Sequence, residues 1–152
     1  MRIPPVAQLA FCFALAGSLS AYIPILNFYS PNWLVALEVL AGVAFLLPAV
    51  FSFIRHKTTV NPQSPNDAST LVIDGIFGIS RNPMYVGMLL LVLAFVLWLG
   101  ALSSFIAVAI FYTSIDRFQI RDEERSLREK FGEAFDEYAA RVPRWLFFKK
   151  GV

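Results

Sequence analysis

The chain has 152 residues, 57 % of them hydrophobic and 16 % charged, with a formal net charge of +2 and a mean hydropathy of +0.61, whereas soluble domains carry about 45–50 % apolar and roughly 25 % charged residues. Nine of the 13 Lys+Arg and eight of the 11 Asp+Glu lie between residues 116 and 152, leaving seven formal charges for the first 115 residues. Such a chain cannot present a soluble surface over most of its length and reads as an all-α integral membrane protein. This excludes a secreted disulfide scaffold, a nucleic-acid reader with a basic face and a Rossmann or TIM enzyme. Cys12, the one cysteine, leaves no internal disulfide to form.

A helix crosses a bilayer core in about 20 apolar residues. The first such run is 6–26 and the second is 33–54, separated by the short polar turn NFYSPN. Met1-Arg2 followed by an apolar stretch also has the start of a signal peptide, but the apolar run continues through Leu26 and is read as a span. Glu38 is the ionisable residue inside these spans. An intramembrane carboxylate is a functional candidate by type, while its place five residues after Trp33 puts it near an edge that reaches water.

The connection 55–83 contains His56, a lone histidine, and the tract TTVNPQSPNDAST, which reads as loop. Next comes Met84 to Ile115, 32 residues without a charge. One straight helix of that length would measure about 48 Å, so Gly100, with Ser103 and Ser104 behind it, is read as a turn between spans 84–100 and 102–116. Four spans result. Arg55, Lys57 and Arg81 flank the 55–83 connection and Arg117 and Arg121 follow the last span, while the 27–32 and 100–103 turns are uncharged. The positive-inside rule then places both termini and the 55–83 loop in the cytoplasm, and the whole chain is one domain of a multi-pass, bacterial inner-membrane type.

Two segments meet on that cytoplasmic side. In DGIFGISRNPMYVG, Asp74 to Gly87, Asn82 is a good N-cap and Pro83 suits the first helical position. A helix start beside Arg81 makes a site for a carboxylate or phosphate; the plainer reading is a helix start beside a topology anchor. In the region 117–145, Ile120, Glu123, Leu127, Phe131, Ala134 and Tyr138 recur at steps of three and four, as in an amphipathic helix with Glu123 turned inward. Glu124 then points away, free to pair with Arg128 at i,i+4, and Gly132 breaks or kinks the helix. Metal-ligand spacing is absent.

Together the two segments, G-x-F-x-x-x-R-N-P-x-Y-x-G and E-E-x-x-L-x-x-x-F-G-x-x-F-x-x-Y, resemble the isoprenylcysteine carboxyl methyltransferase family and the related membrane phospholipid methyltransferases. The resemblance covers Gly75 to about Trp145. It implies S-adenosylmethionine as cofactor, bound between the last spans and the C-terminal helix, and a lipophilic or lipid-modified substrate arriving from the membrane lipid. By position it assigns Gly75, Phe77, Arg81, Asn82, Pro83, Tyr85, Gly87, Glu123, Glu124 and Tyr138 to the cofactor, with Arg81 and Glu123 as the catalytic pair. Asn82 stands where the family more usually has histidine, and the chain is short, so the prenylcysteine substrate follows less directly than the cofactor.

The cofactor's chemistry suits these residues. A glutamate accepts from its ammonium or ribose diol, Arg81 with the helix start holds its carboxylate, and aromatic rings face adenine or sulfonium. Displacement at the methyl requires alignment and exclusion of water. The expected activity is methyl transfer to a carboxylate, with a phospholipid or other amine as the alternative acceptor. A non-enzymatic transporter subunit or assembly factor is the rival from another class. It would place polar groups near the midplane of several spans, whereas here they gather at one face.

Overall fold

A computed structural model describes residues 3–55 and 70–146. His56, Lys57, the tract 58–69 and both extreme termini, including Met1 and Arg2, lie outside the described residues. Six α-helices follow in order: α1 (Pro5–Tyr22), α2 (Asn32–Arg55), α3 (Pro83–Leu99), α4 (Phe105–Ser114), α5 (Arg121–Phe131) and α6 (Glu133–Arg141). A 3₁₀ turn covers Gly75–Gly78 and another Leu102–Ser104.

Each boundary has a local cause. α1 ends at Tyr22, short of the expected 26, because Ile23 precedes Pro24 and leaves the helical region (φ −136°). α3 ends at Gly100, whose φ of +68° a residue with a side chain rarely adopts. The apolar block 84–115 is therefore two helices with a turn at Gly100. α4 runs through a π-helical turn (Ile115–Ile120) directly into α5, giving one rod from Phe105 to Phe131.

α3 is the centre of the bundle. α1 and α4 pack against one side of it through Cys12, Ala16, Val92, Val96, Ala107 and Phe111. α2 packs against another side, where Gly42 faces Gly87 so closely that a Cβ on Gly87 would stand 2.7 Å from the Gly42 carbonyl oxygen. By length and composition α1 and α2 can each cross a membrane, and α3 is a shorter apolar helix. Leu37, Leu40, Leu47, Phe51 and Ile54 on α2 face outward. An apolar surface that extensive is a membrane surface rather than a wetted one.

The amphipathic stripe differs in register from the periodic reading. On a wheel of 3.6 residues per turn, Glu124 lies about 40° from Ile120 and Glu123 about 60° to its other side. Glu124 is the buried one and Glu123 is half-buried. Past Gly132 (φ +53°) the helix restarts, and the inward residues of α6 are Phe135, at 1 % exposure, and Tyr138, as the periodicity expects, while Ala134 faces out. A count carried across a break misplaces the first turn after it.

Candidate functional site

The segment 74–82 crosses the end of the bundle where α3 begins and α5 and α6 pass. Backbone ties come first. The Arg81 N–H donates to the Pro143 carbonyl (2.9 Å), the Ser80 hydroxyl to the Arg144 carbonyl (3.1 Å), and the Asn82 side-chain amide to that same carbonyl (3.0 Å). Asn82 does precede Pro83 at the first helical position, yet its side chain makes no capping bond; it is spent on the C-terminal segment instead. The Tyr138 hydroxyl donates to the Phe77 carbonyl (2.7 Å). Burial raises the Tyr138 pKa, the Arg81 charge opposes this and the Glu124 charge adds to it.

Charges form the centre. Glu124, facing inward, accepts from Arg81 Nε (3.0 Å) and Nη2 (2.8 Å) on Oε1 and from Arg144 Nη2 (2.6 Å) on Oε2. Arg81 Nη1 is also used, donating to the carbonyls of Ala139 (3.0 Å) and Val142 (2.6 Å). Arg144 reaches on to Asp116 Oδ1 (3.3 Å), which also accepts from the Trp145 indole (3.1 Å). Burial disfavours the Arg144 charge, but Glu124 and Asp116 outweigh it and hold its pKa above the usual arginine value.

Two expectations are thereby corrected. Glu124 does not pair with Arg128, which binds Asp136 instead (2.7 Å), because Glu124 is turned into the bundle towards two other guanidinium groups. Arg81 does grip a carboxylate with its fork, but that carboxylate belongs to the protein. A guanidinium has five donors, and four hydrogen bonds are already made here.

Beside this closed cluster lies a second one. The Tyr85 hydroxyl, from the first turn of α3, donates to Glu123 Oε1 (2.7 Å), and the Gln119 side-chain amide donates to the same oxygen (2.7 Å). Glu123 is half-buried, so its carboxylate is both held and reachable. The remaining residues have packing roles. Phe77 is buried against Ala49 and Val72, edge-on to the Phe53 ring at 5.1 Å between centroids. Gly75 opens its 3₁₀ turn at φ +57°. Gly87 faces Gly42 and Leu46 of α2, where a side chain has no room.

The sequence reading missed Ser80, Asp116, Gln119 and Arg144. Ser80 and Arg144 sit inside the two segments singled out, but nothing in their spacing marks them. Asp116 and Gln119 belong to the π-helical turn; each lies four residues before a member of the inward stripe, Ile120 and Glu123, so extending that stripe one turn towards the N-terminus was the signal that could have found them. Among the described residues, no group of three His, Cys, Asp or Glu could hold a metal ion.

Residues 31–134 match a family described as phospholipid methyltransferase. The chain is 31 % identical over 124 residues to the protein-S-isoprenylcysteine O-methyltransferase of Mus musculus, covering 80 % of this chain and 44 % of that protein. The Homo sapiens protein of the same name is 31 % identical over 116 residues, 76 % of this chain and 41 % of that protein. The chain thus spans less than half the length of these mammalian relatives. It is also 44 % identical over 63 residues to an uncharacterized protein of Haemophilus influenzae, 41 % of this chain and 100 % of that one. No solved structure matches the chain.

Proposed function

This chain belongs to the phospholipid methyltransferase family, and from that premise we propose that it transfers a methyl group from S-adenosylmethionine to a lipophilic acceptor at the membrane surface. The observation that carries this reading is Glu123, a half-buried carboxylate at the polar end that accepts from Tyr85 and Gln119.

The residues fit the cationic half of that cofactor. When bound, S-adenosylmethionine supplies an electrophilic methyl on a sulfonium and carries an ammonium beside it. Glu123 accepts from the ammonium, and the Tyr85 and Gln119 donors keep its carboxylate pointed there. Arg81 acts at one remove. By clamping Glu124 and two carbonyls of the 139–142 turn, it fixes α6 and the C-terminal segment over the start of α3, which shields the site from water. Holding donor and acceptor in line is the main task for such a displacement.

The proposed acceptor is a carboxylate on a lipid-modified molecule, as the names of the mammalian relatives suggest. The description of the matching family favours a second reading, an amine on a phospholipid headgroup. The proposed frame is four membrane-crossing segments, α1, α2, α3 and the rod beginning with α4, with both termini in the cytoplasm. Calorimetry of purified protein in detergent should detect S-adenosylmethionine binding. Transfer of labelled methyl to a prenylated cysteine analogue or to phosphatidylethanolamine then chooses the acceptor. Reporter fusions after Lys57 and at Val152 should both report the cytoplasm; opposite compartments would overturn the four-segment frame.

A further inference from the structure

The π-helical turn between α4 and α5 widens the helix by one residue per turn, a device found mostly at functional sites. It brings two polar side chains of one turn to the polar end, Asp116 towards Arg144 and Gln119 towards Glu123. Gln119 is 1 % exposed and lies between Ile115 and Ile120, both fully buried. An amide in such surroundings is costly unless its hydrogen bonds are made. Its Nε2 donates to Glu123 Oε1 at 2.7 Å, the oxygen that the Tyr85 hydroxyl also reaches at 2.7 Å. Donors from two elements, α3 and the π-helical turn, thus converge on one oxygen and fix the direction of the carboxylate.

We infer that Gln119 is a positioning residue for Glu123, orienting its carboxylate towards the cation of the cofactor. This rests on the reading of Glu123 given above.

A double-mutant cycle on the full-length protein in detergent tests it, read as S-adenosylmethionine affinity by calorimetry, with thermal unfolding of each protein alongside. Glu123→Gln should weaken binding about tenfold. Gln119→Met, which keeps length and removes the amide, should weaken it about fivefold in the wild-type background and have no further effect beside Glu123→Gln, since a residue acting through another loses its effect when that other is gone. The exchange Gln119→Glu with Glu123→Gln rebuilds an amide–carboxylate pair with the charge moved. It should unfold near the wild-type temperature yet bind as weakly as Glu123→Gln alone, which keeps the test decisive if Gln119→Met folds poorly. Effects that multiply in the double variant overturn the role of Gln119 while leaving that of Glu123; an exchange variant that binds like wild type overturns both, since the charge then need not stand at 123. Failure of the wild-type protein to bind S-adenosylmethionine overturns the proposed function, and the role of Gln119 with it.

Discussion

The two ends of the bundle are closed by different chemistry. At the end away from Arg81, the main chain does the work. The Phe28 N–H donates to the Gly100 carbonyl (2.8 Å), Leu102 N–H to the Ile25 carbonyl (3.0 Å), and Asn27 and Ala101 form an isolated antiparallel bridge. Ser104 and Ser103 add hydroxyl bonds to the carbonyls of Ala16 (2.9 Å) and Leu19 (3.4 Å) on α1. At the polar end, closure depends on side chains of opposite charge drawn from three separate stretches of chain. Backbone ties tolerate most substitutions, whereas charged ties fail when one partner goes. An end built the second way is committed to its residue identities, and that is the end that carries Glu123.

The sharpest way to break this contrast is Glu124→Ala. Arg81 and Arg144 would keep their charges in a mostly buried place without the carboxylate that binds both. Removing one partner of a buried pair costs about 3–5 kcal/mol, so the expected outcome is a large fall in unfolding temperature, or failure to accumulate in the membrane. Near-wild-type unfolding would show that the cluster is solvated and that the two ends are equivalent.

Arg81→Lys comes next. An ammonium cannot reproduce a fork that engages one carboxylate and two carbonyls together. Loss of charge-assisted bonds of this kind costs about 1.5–3 kcal/mol. Both stability and methyl transfer should fall, while Arg55→Lys at the end of α2 should change neither. An activity loss with unaltered unfolding would mean that Arg81 touches substrate or cofactor rather than the C-terminal segment.

Gly100→Ala probes the other end. The residue sits at φ +68° and a Cβ there would collide with the Phe28 carbonyl oxygen. A strained backbone of this kind costs on the order of 1–3 kcal/mol. The variant should unfold earlier yet bind S-adenosylmethionine as the wild type does, since the strain lies at the end away from the site. A change in affinity equal to that in stability would join the two ends into one unit.

These contrasts also explain what the sequence disclosed. Gly100 and Gly132 were legible because a glycine after an apolar or amphipathic run interrupts a helix by itself. The meeting of the Gly75–Gly87 segment with 117–145 was legible from two motifs in combination. The distribution of partners was not. Whether Arg81 holds a ligand or Glu124 depends on residues 43 apart in the chain. The choice between Glu123 and Glu124 depends on a rotation smaller than the width of the apolar stripe. Asp116 and Gln119 lie one helical turn before the stripe that was read, around the expected end of the last span.

The neighbouring glutamates give the finest comparison. Glu124 is clamped by two arginines and nearly out of reach of solvent, whereas Glu123 is half-buried and accepts from the Tyr85 hydroxyl and the Gln119 amide. Its carboxylate charge is therefore within reach of a ligand. Glu123→Gln removes that charge while keeping size and shape, and an amide oxygen still accepts from Tyr85. The fold should hold, with unfolding close to wild type. The affinity for S-adenosylmethionine should fall at least tenfold, or about 1.4 kcal/mol, with the loss confined to ligands that carry the ammonium. A deaminated analogue should bind wild type and variant alike. Equal weakening of both ligands would place Glu123 with Glu124 among the residues that hold the end together, and the cation site would have to lie elsewhere.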